Sequence, residues 1–178
     1  MIAALCIIMK KNIKCFEPIV DETCEILILG SMPSSISREN NFYYSNPTNR
    51  FWKILYCIFN CDVTKSNPSQ KKDFLLKQHI ALFDVYKQCQ MKKTGSSLDS
   101  NIIKQQFNNI PDLIKSTKIK RIFITSKKAY NDFIKHFDYF IKSSEINVCY
   151  LPSPSSANRS VFKTDEELID CWKKLIIN

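Results

Sequence analysis

The chain has 178 residues, 44% hydrophobic and 12% aromatic, which fits one domain of the usual size and supplies enough apolar material to exclude a disordered protein. Its formal charge of +9 favours a polyanionic partner, nucleic acid first, through steering and counterion release. The same Lys, Ile and Asn bias is what an AT-rich genome produces, so charge alone leaves both readings open.

In chain order, residues 1–10 (MIAALCIIMK) form an apolar run with no basic leader and no small-residue cleavage site, too short to span a bilayer. The run either covers a hydrophobic edge or is a poorly ordered start. Residues 1–23 are thus expected as an extension packed on or flanking a single domain covering 1–178. The protein is expected in the cytoplasm, or in the nucleus of a eukaryote, neither secreted nor membrane-bound. Short apolar, β-branched runs predict strands at Glu25–Leu29, Ile80–Val85, Arg121–Thr125 and Asn147–Leu151.

Between the strands lie helical patterns. Arg50–Phe59 puts Phe51, Ile54, Leu55 and Ile58 on one face, and Asn67–Gln78 opens on a Pro-Ser entry. Helices are also predicted over Ile102–Phe107, Ile110–Ser116, Ser126–Phe137 and Thr164–Ile177. The last begins with a capping box, Thr164 and Glu167. Strands alternating with helices require crossover connections, hence an α/β fold: a three-layer αβα sandwich around a central, mainly parallel four-stranded sheet. Such sheets bind ligands at the carboxyl ends of their strands, here the loops expected to begin at Gly30, Tyr86, Ser126 and Pro152.

Eight cysteines are dispersed without a C-x-x-C pair, so zinc and iron–sulfur ligation lack support. Cys57 and Cys61 stand one helical turn apart and can meet, but two thiols do not complete a metal site. No metal and no cofactor are expected.

Two of the strand-end loops are rich in Ser, Pro and Asn. The first, GSMPSS (30–35), contains one of only two glycines in the chain, and continues into FYYSNPTNRFW (42–52), with five aromatic side chains. Aromatic faces stack on bases, and an Asn amide both donates and accepts, so it can read a base edge or position water. Taken alone, the first part reads better as an ordinary Ser-capped turn than as a site, and only the continuation changes that; Phe51 and Trp52 read better as core. The last loop, LPSPSSANR (151–159), is stiff and carries hydroxyls and an Arg that can reach phosphates, or is simply a solvated turn. Lys71, Lys72, Lys92, Lys93, Lys127 and Lys128 are assigned to no site.

These loops together resemble the uracil-DNA glycosylase superfamily, and within it the hypoxanthine-DNA glycosylase (DNA-deoxyinosine glycosylase) branch. The resemblance rests on ILILGSMPSS, FYYSNPTNRFW, ALFDV (81–85), GSSLDSNI (95–102) and LPSPSSAN (151–158), in family order over roughly residues 24–175. It departs from the family at Phe83 (usually Trp), Ser156 (Pro) and Thr125-Ser126 (commonly Asn-Gly), which bears on pocket polarity and loop stiffness.

The resemblance implies a monofunctional glycosylase acting on double-stranded DNA that contains a damaged base, as a monomer by default. Met32 stands where many superfamily members carry a polar catalytic residue, as the hypoxanthine branch also lacks one. Water positioning then falls to Asn49, with Asn46 as second candidate. Gly30, Ser31, Met32, Pro33 and Ser34 would cradle the base, with backbone N–H groups donating to it. Tyr44 would stack on the base, and Asp84 would accept a hydrogen bond from it or fix the loops. Ser153, Pro154, Ser155, Ser156, Ala157, Asn158 and Arg159 would grip DNA. A mismatch-type uracil glycosylase and a catalytically silent DNA-binding module are the alternatives.

Overall fold

A computed structural model describes residues 12–92 and 98–177. The apolar run at 1–10 and residues 95–97 of the GSSLDSNI segment therefore lie outside the described residues. The described chain begins with β1 (Ile13–Lys14), β2 (Ile26–Gly30), α1 (Ser35–Glu39), α2 (Phe51–Phe59), α3 (Pro68–Lys77), β3 (Ile80–Asp84) and β4 (Tyr86–Met91). It continues with β5 (Ile102–Phe107), α4 (Ile110–Ile114), β6 (Arg121–Ile124), α5 (Lys127–His136), α6 (Asp138–Ser143), β7 (Asn147–Tyr150) and α7 (Asp165–Ile177).

The four predicted strands form one parallel sheet in the order β3-β2-β6-β7, with Leu27 beside both Ala81 and Ile122. Every residue of β2 and β3 is buried, so both faces of the sheet are covered there, as near-continuous apolar strands of a parallel sheet require. The chain moves one way from β2 to β3 and the opposite way from β6 to β7. Right-handed crossovers then place α2 and α3 on one face and α5 on the other. The order reverses between β2 and β6, which opens a crevice at their carboxyl ends.

The final helix shows how sequence becomes packing. Thr164 and Glu167 exchange capping hydrogen bonds of 3.2 and 3.3 Å, and Leu168, Trp172 and Ile176, four apart, form the buried stripe. Burying such side chains contributes about 1.5–3 kcal/mol each. Trp172 meets Phe51 of α2 edge-on at 5.9 Å, and its indole N–H donates to Pro152 O at 2.9 Å. The core thus fixes where the last loop leaves the sheet.

Ile102–Phe107, expected to be helical, is instead a strand. With β4 and β1 it makes an antiparallel three-stranded sheet, and Tyr86, expected to open a loop, opens β4. The register slips twice along β4 and β5, and Lys104 takes a left-handed φ of 49°. Such bulges break the two-residue alternation by which a short strand is recognised. The helices α1 and α6 were not expected either. Residues upstream of β2 pack on this framework: Tyr43 Oη donates to Glu17 O at 3.1 Å, and Ile19 bridges Leu82 of β3.

Candidate active site

A cavity of about 290 Å³ opens at the carboxyl ends of β2, β3 and β6, at the point of strand-order reversal. Gly30, Ser31, Met32, Pro33, Ser34, Tyr44 and Asp84 line it, as do Asn46 and Asn49. Ser153, Pro154, Ser155, Ala157 and Asn158 form the opposite wall, while Ser156 and Arg159 stand outside the lining. No Lys, Arg or His lines it among the described residues.

The floor is built where β2 and β3 end side by side, with Gly30 paired to Asp84. A Cβ at position 30 would stand 2.5 Å from Asp84 Oδ1 and 3.1 Å from Tyr44 Oη, so only glycine admits both groups. Asp84 is buried, and its Oδ2 has no hydrogen-bond partner. Its backbone is fixed: Asn108 Nδ2 donates to Asp84 O at 2.8 Å, and Val85 N–H to Gly30 O at 2.8 Å. Desolvation, and then the nearby charge of Asp99, push the Asp84 carboxyl up to about 8.

Tyr44 adopts a left-handed φ of 49°. One face of its ring stacks on Phe51 with centroids 4.0 Å apart and planes 9° from parallel, so only the other face remains for a ligand. Its hydroxyl lies 3.2 Å from Thr125 Oγ1, which also donates to Leu29 O at 3.3 Å. Burial raises the Tyr44 phenol above its usual range. Thr125 and Ser126, where the sequence departs from its resemblance, both line the cavity, and Ser126 caps α5 by accepting from Ala129 N–H.

In the first loop, Pro33 has no N–H to donate, and its carbonyl accepts from Arg38 Nη1 at 2.7 Å. The backbone donors of this stretch are correspondingly fewer than the loop's length implies. Met32 N–H has no acceptor among the described residues. Ser34 caps α1 through Ser37 N–H, while Ser31 Oγ donates to Asp99 Oδ1 at 2.5 Å. Asp99 was not singled out from the sequence, although it belongs to the GSSLDSNI segment.

Asn46 and Asn49 stand at the rim with their amides oriented by local turns. Asn46 Oδ1 accepts from Thr48 N–H at 3.0 Å, and Asn49 Oδ1 from Phe51 N–H at 3.0 Å. A backbone donor identifies the oxygen in each case; Asn46 Oδ1 accepts also from Thr48 Oγ1 at 3.0 Å, whereas Asn49 Oδ1 keeps one further lone pair. Asn49 N–H donates to Asn46 O at 2.9 Å, which ties the two residues together.

The opposite wall is held by Arg50, a buried cation that carried no signal in the sequence. Its backbone N–H and its Nε both donate to Pro154 O, at 2.9 and 3.4 Å, while Nη2 donates to Ser155 O and Nη1 to Phe162 O. Asp165 completes the clamp 3.7 Å away, and it also binds Lys53 at 2.8 Å. Arg159, expected to face phosphate, lies 3.6 Å from the same carboxylate. Ser156 Oγ approaches Thr48 Oγ1 at 3.2 Å, which links the two loops across the mouth. Among the described lysines, Lys71 lies over Trp52, Lys127 over Tyr130 and Tyr150, and Lys128 pairs with Asp132.

The model of the uracil DNA glycosylase superfamily matches residues 17–176. A Methanosarcina acetivorans protein named hypoxanthine DNA glycosylase is 32% identical over 157 residues, 85% of this chain and 91% of its own. A Methanosarcina barkeri protein of the same name is 30% identical over 151 residues, 84% of this chain and 90% of its own. A solution NMR structure from Methanosarcina acetivorans, provisionally assigned as a uracil DNA glycosylase, superposes with a TM-score of 0.76. It is 27% identical and covers 92% of this chain and 96% of its own.

Proposed function

This chain belongs to the uracil DNA glycosylase superfamily, and we propose that it excises hypoxanthine from deoxyinosine in double-stranded DNA. The observation that carries the reading is the cavity itself. It is a half-open space at the strand ends with no cation in its lining among the described residues, with oriented amides at its rim and Met32 where a polar catalyst would otherwise stand. The names of the two Methanosarcina relatives point to the same base.

To reach the cavity the base must leave the helical stack, at a cost of a few kcal/mol that is smallest for a mismatched or damaged pair. The free face of Tyr44 then stacks on it. Breaking the N-glycosidic bond builds positive charge on the sugar and negative charge on the base. In this reading Asn49 holds the attacking water with the second lone pair of Oδ1, its first being fixed by Phe51 N–H. Asn46 steadies Asn49 through its backbone carbonyl. An amide is a weak base, so positioning and electrostatics supply most of the acceleration. The 153–158 wall grips the DNA flanking the extruded nucleotide.

A base-release assay on duplexes containing deoxyinosine, deoxyuridine, deoxyxanthosine or ethenoadenine tests this directly. Hypoxanthine is expected to be released fastest. Faster release of uracil would move the chain to a mismatch-type uracil glycosylase, and no release from any duplex would make it a silent binding module.

A further inference from the structure

We propose that Asp84 is a second catalytic residue, a neutral carboxylic acid that donates its proton to the purine as the base departs. The inference rests on the reading of the cavity as a base site.

The geometry carries it. Asp84 ends a fully buried strand and lines the cavity floor, with Oδ1 pressed against the backbone of Gly30 and Oδ2 buried without a partner. A buried polar atom left unsatisfied is unusual in a native protein and calls for a role. Neighbouring polar groups are already committed: Ser31 Oγ to Asp99, Thr125 Oγ1 to Leu29 O, and Tyr44 Oη to Thr125. With no cation in the lining among the described residues, nothing there stabilises an anion at Asp84.

The titratable groups that face it point the same way. Asp99 contributes negative charge; Tyr43 and Tyr44 of the first loop are held neutral by burial, as are Cys15 beside β1 and Cys89 of β4. Two carboxyl groups thus share one cavity in unlike settings, Asp99 accepting from Ser31 and Asp84 Oδ2 without a partner.

A neutral carboxyl offers one donor and one acceptor, whereas a carboxylate would repel the charge that builds on the base. In the step, the C1′–N9 bond breaks with its electron pair going to the purine, and the Asp84 proton passes to the purine. Water forms the new C1′–O bond, and its surplus proton returns to the Asp84 carboxylate through solvent. One water is consumed and no other reactant is needed.

Single-turnover release of hypoxanthine by the full chain, followed against pH, tests the assignment. The wild-type rate should fall as pH rises through the value of about 8 that Asp84 carries. Asp84→Asn keeps the shape and a donor but has no proton to give. It should release base about 10²-fold more slowly at neutral pH and lack that alkaline fall. An alkaline fall shared by wild type and variant overturns the role of Asp84 alone, with hypoxanthine excision intact. Absence of release by the wild type at every pH overturns the base-site reading and this inference with it. Should the variant fail to fold, a carbon-13 NMR titration of the wild-type aspartates decides: an Asp84 carboxyl titrating in the ordinary carboxylate range sinks the proposal.

Discussion

At the floor of the cavity Asp84 Oδ2 has no hydrogen-bond partner and no cation beside it in the lining, whereas behind the opposite wall Asp165, whose Oδ1 likewise accepts no hydrogen bond, is approached by Arg50, Lys53 and Arg159. The same side chain is driven in opposite directions. Burial pushes Asp84 up, while the hydrogen bond from Lys53, with the Arg charges behind it, pulls Asp165 below its usual range. Among the described residues the lining holds no cation, and Arg50, Lys53 and Arg159 stand behind the opposite wall. On the proposed reading a neutral base would sit where solvation is poor, with the positively charged groups outside. No basic side chain that contributes to the +9 charge of the chain lines the cavity among the described residues.

Substitutions on the two sides separate these roles. The largest effect is expected at Asn49, because the proposed mechanism has its amide hold the attacking water. Asn49→Ala should slow hypoxanthine release about 10²–10³-fold, with duplex affinity largely kept. Single-turnover kinetics beside a binding titration read this, and equal losses in both would place Asn49 in binding and blur the division.

Arg50→Met comes next. It leaves Ser155 O and Phe162 O without their donor, Pro154 O with the backbone N–H of residue 50 alone, and Asp165 with fewer counter-charges, and should lower unfolding stability by about 3 kcal/mol. Denaturant melts measure it, and an unchanged midpoint would mean that the wall does not depend on the clamp. Gly30→Ala is the smallest and the most local. Its methyl must displace Asp84 or Tyr44, at about 1–3 kcal/mol of stability, with slower base release and no change in the salt dependence of DNA binding.

The sequence disclosed the parallel sheet because its strands are apolar throughout, and the final helix because Thr164 and Glu167 mark its start. The strand-end rule located both loops before any residue was given a role. The antiparallel sheet was hidden by Tyr86–Met91, a run with few apolar residues, and by the bulges opposite it. Arg50 was obscured for a different reason. A charged residue in a sequence reads as exposed by default, and what buries this one is remote along the chain: Arg50 meets Pro154 across 104 positions. Asp99 escaped notice because its partner Ser31 is 68 positions away.

The contact between Ile19 and Leu82 has a bearing on the edge of the parallel sheet. β3 is the outermost strand of the parallel sheet, apolar along nearly its whole length. Ile19 N–H donates to Leu82 O at 2.9 Å and Leu82 N–H to Ile19 O at 2.8 Å, which occupies the middle of that edge. An open apolar edge is a template for strand addition by another chain. One residue of upstream chain thus serves as an edge guard, and molecules that lost it would be prone to join edge to edge, hiding the cavity's supporting sheet inside an aggregate.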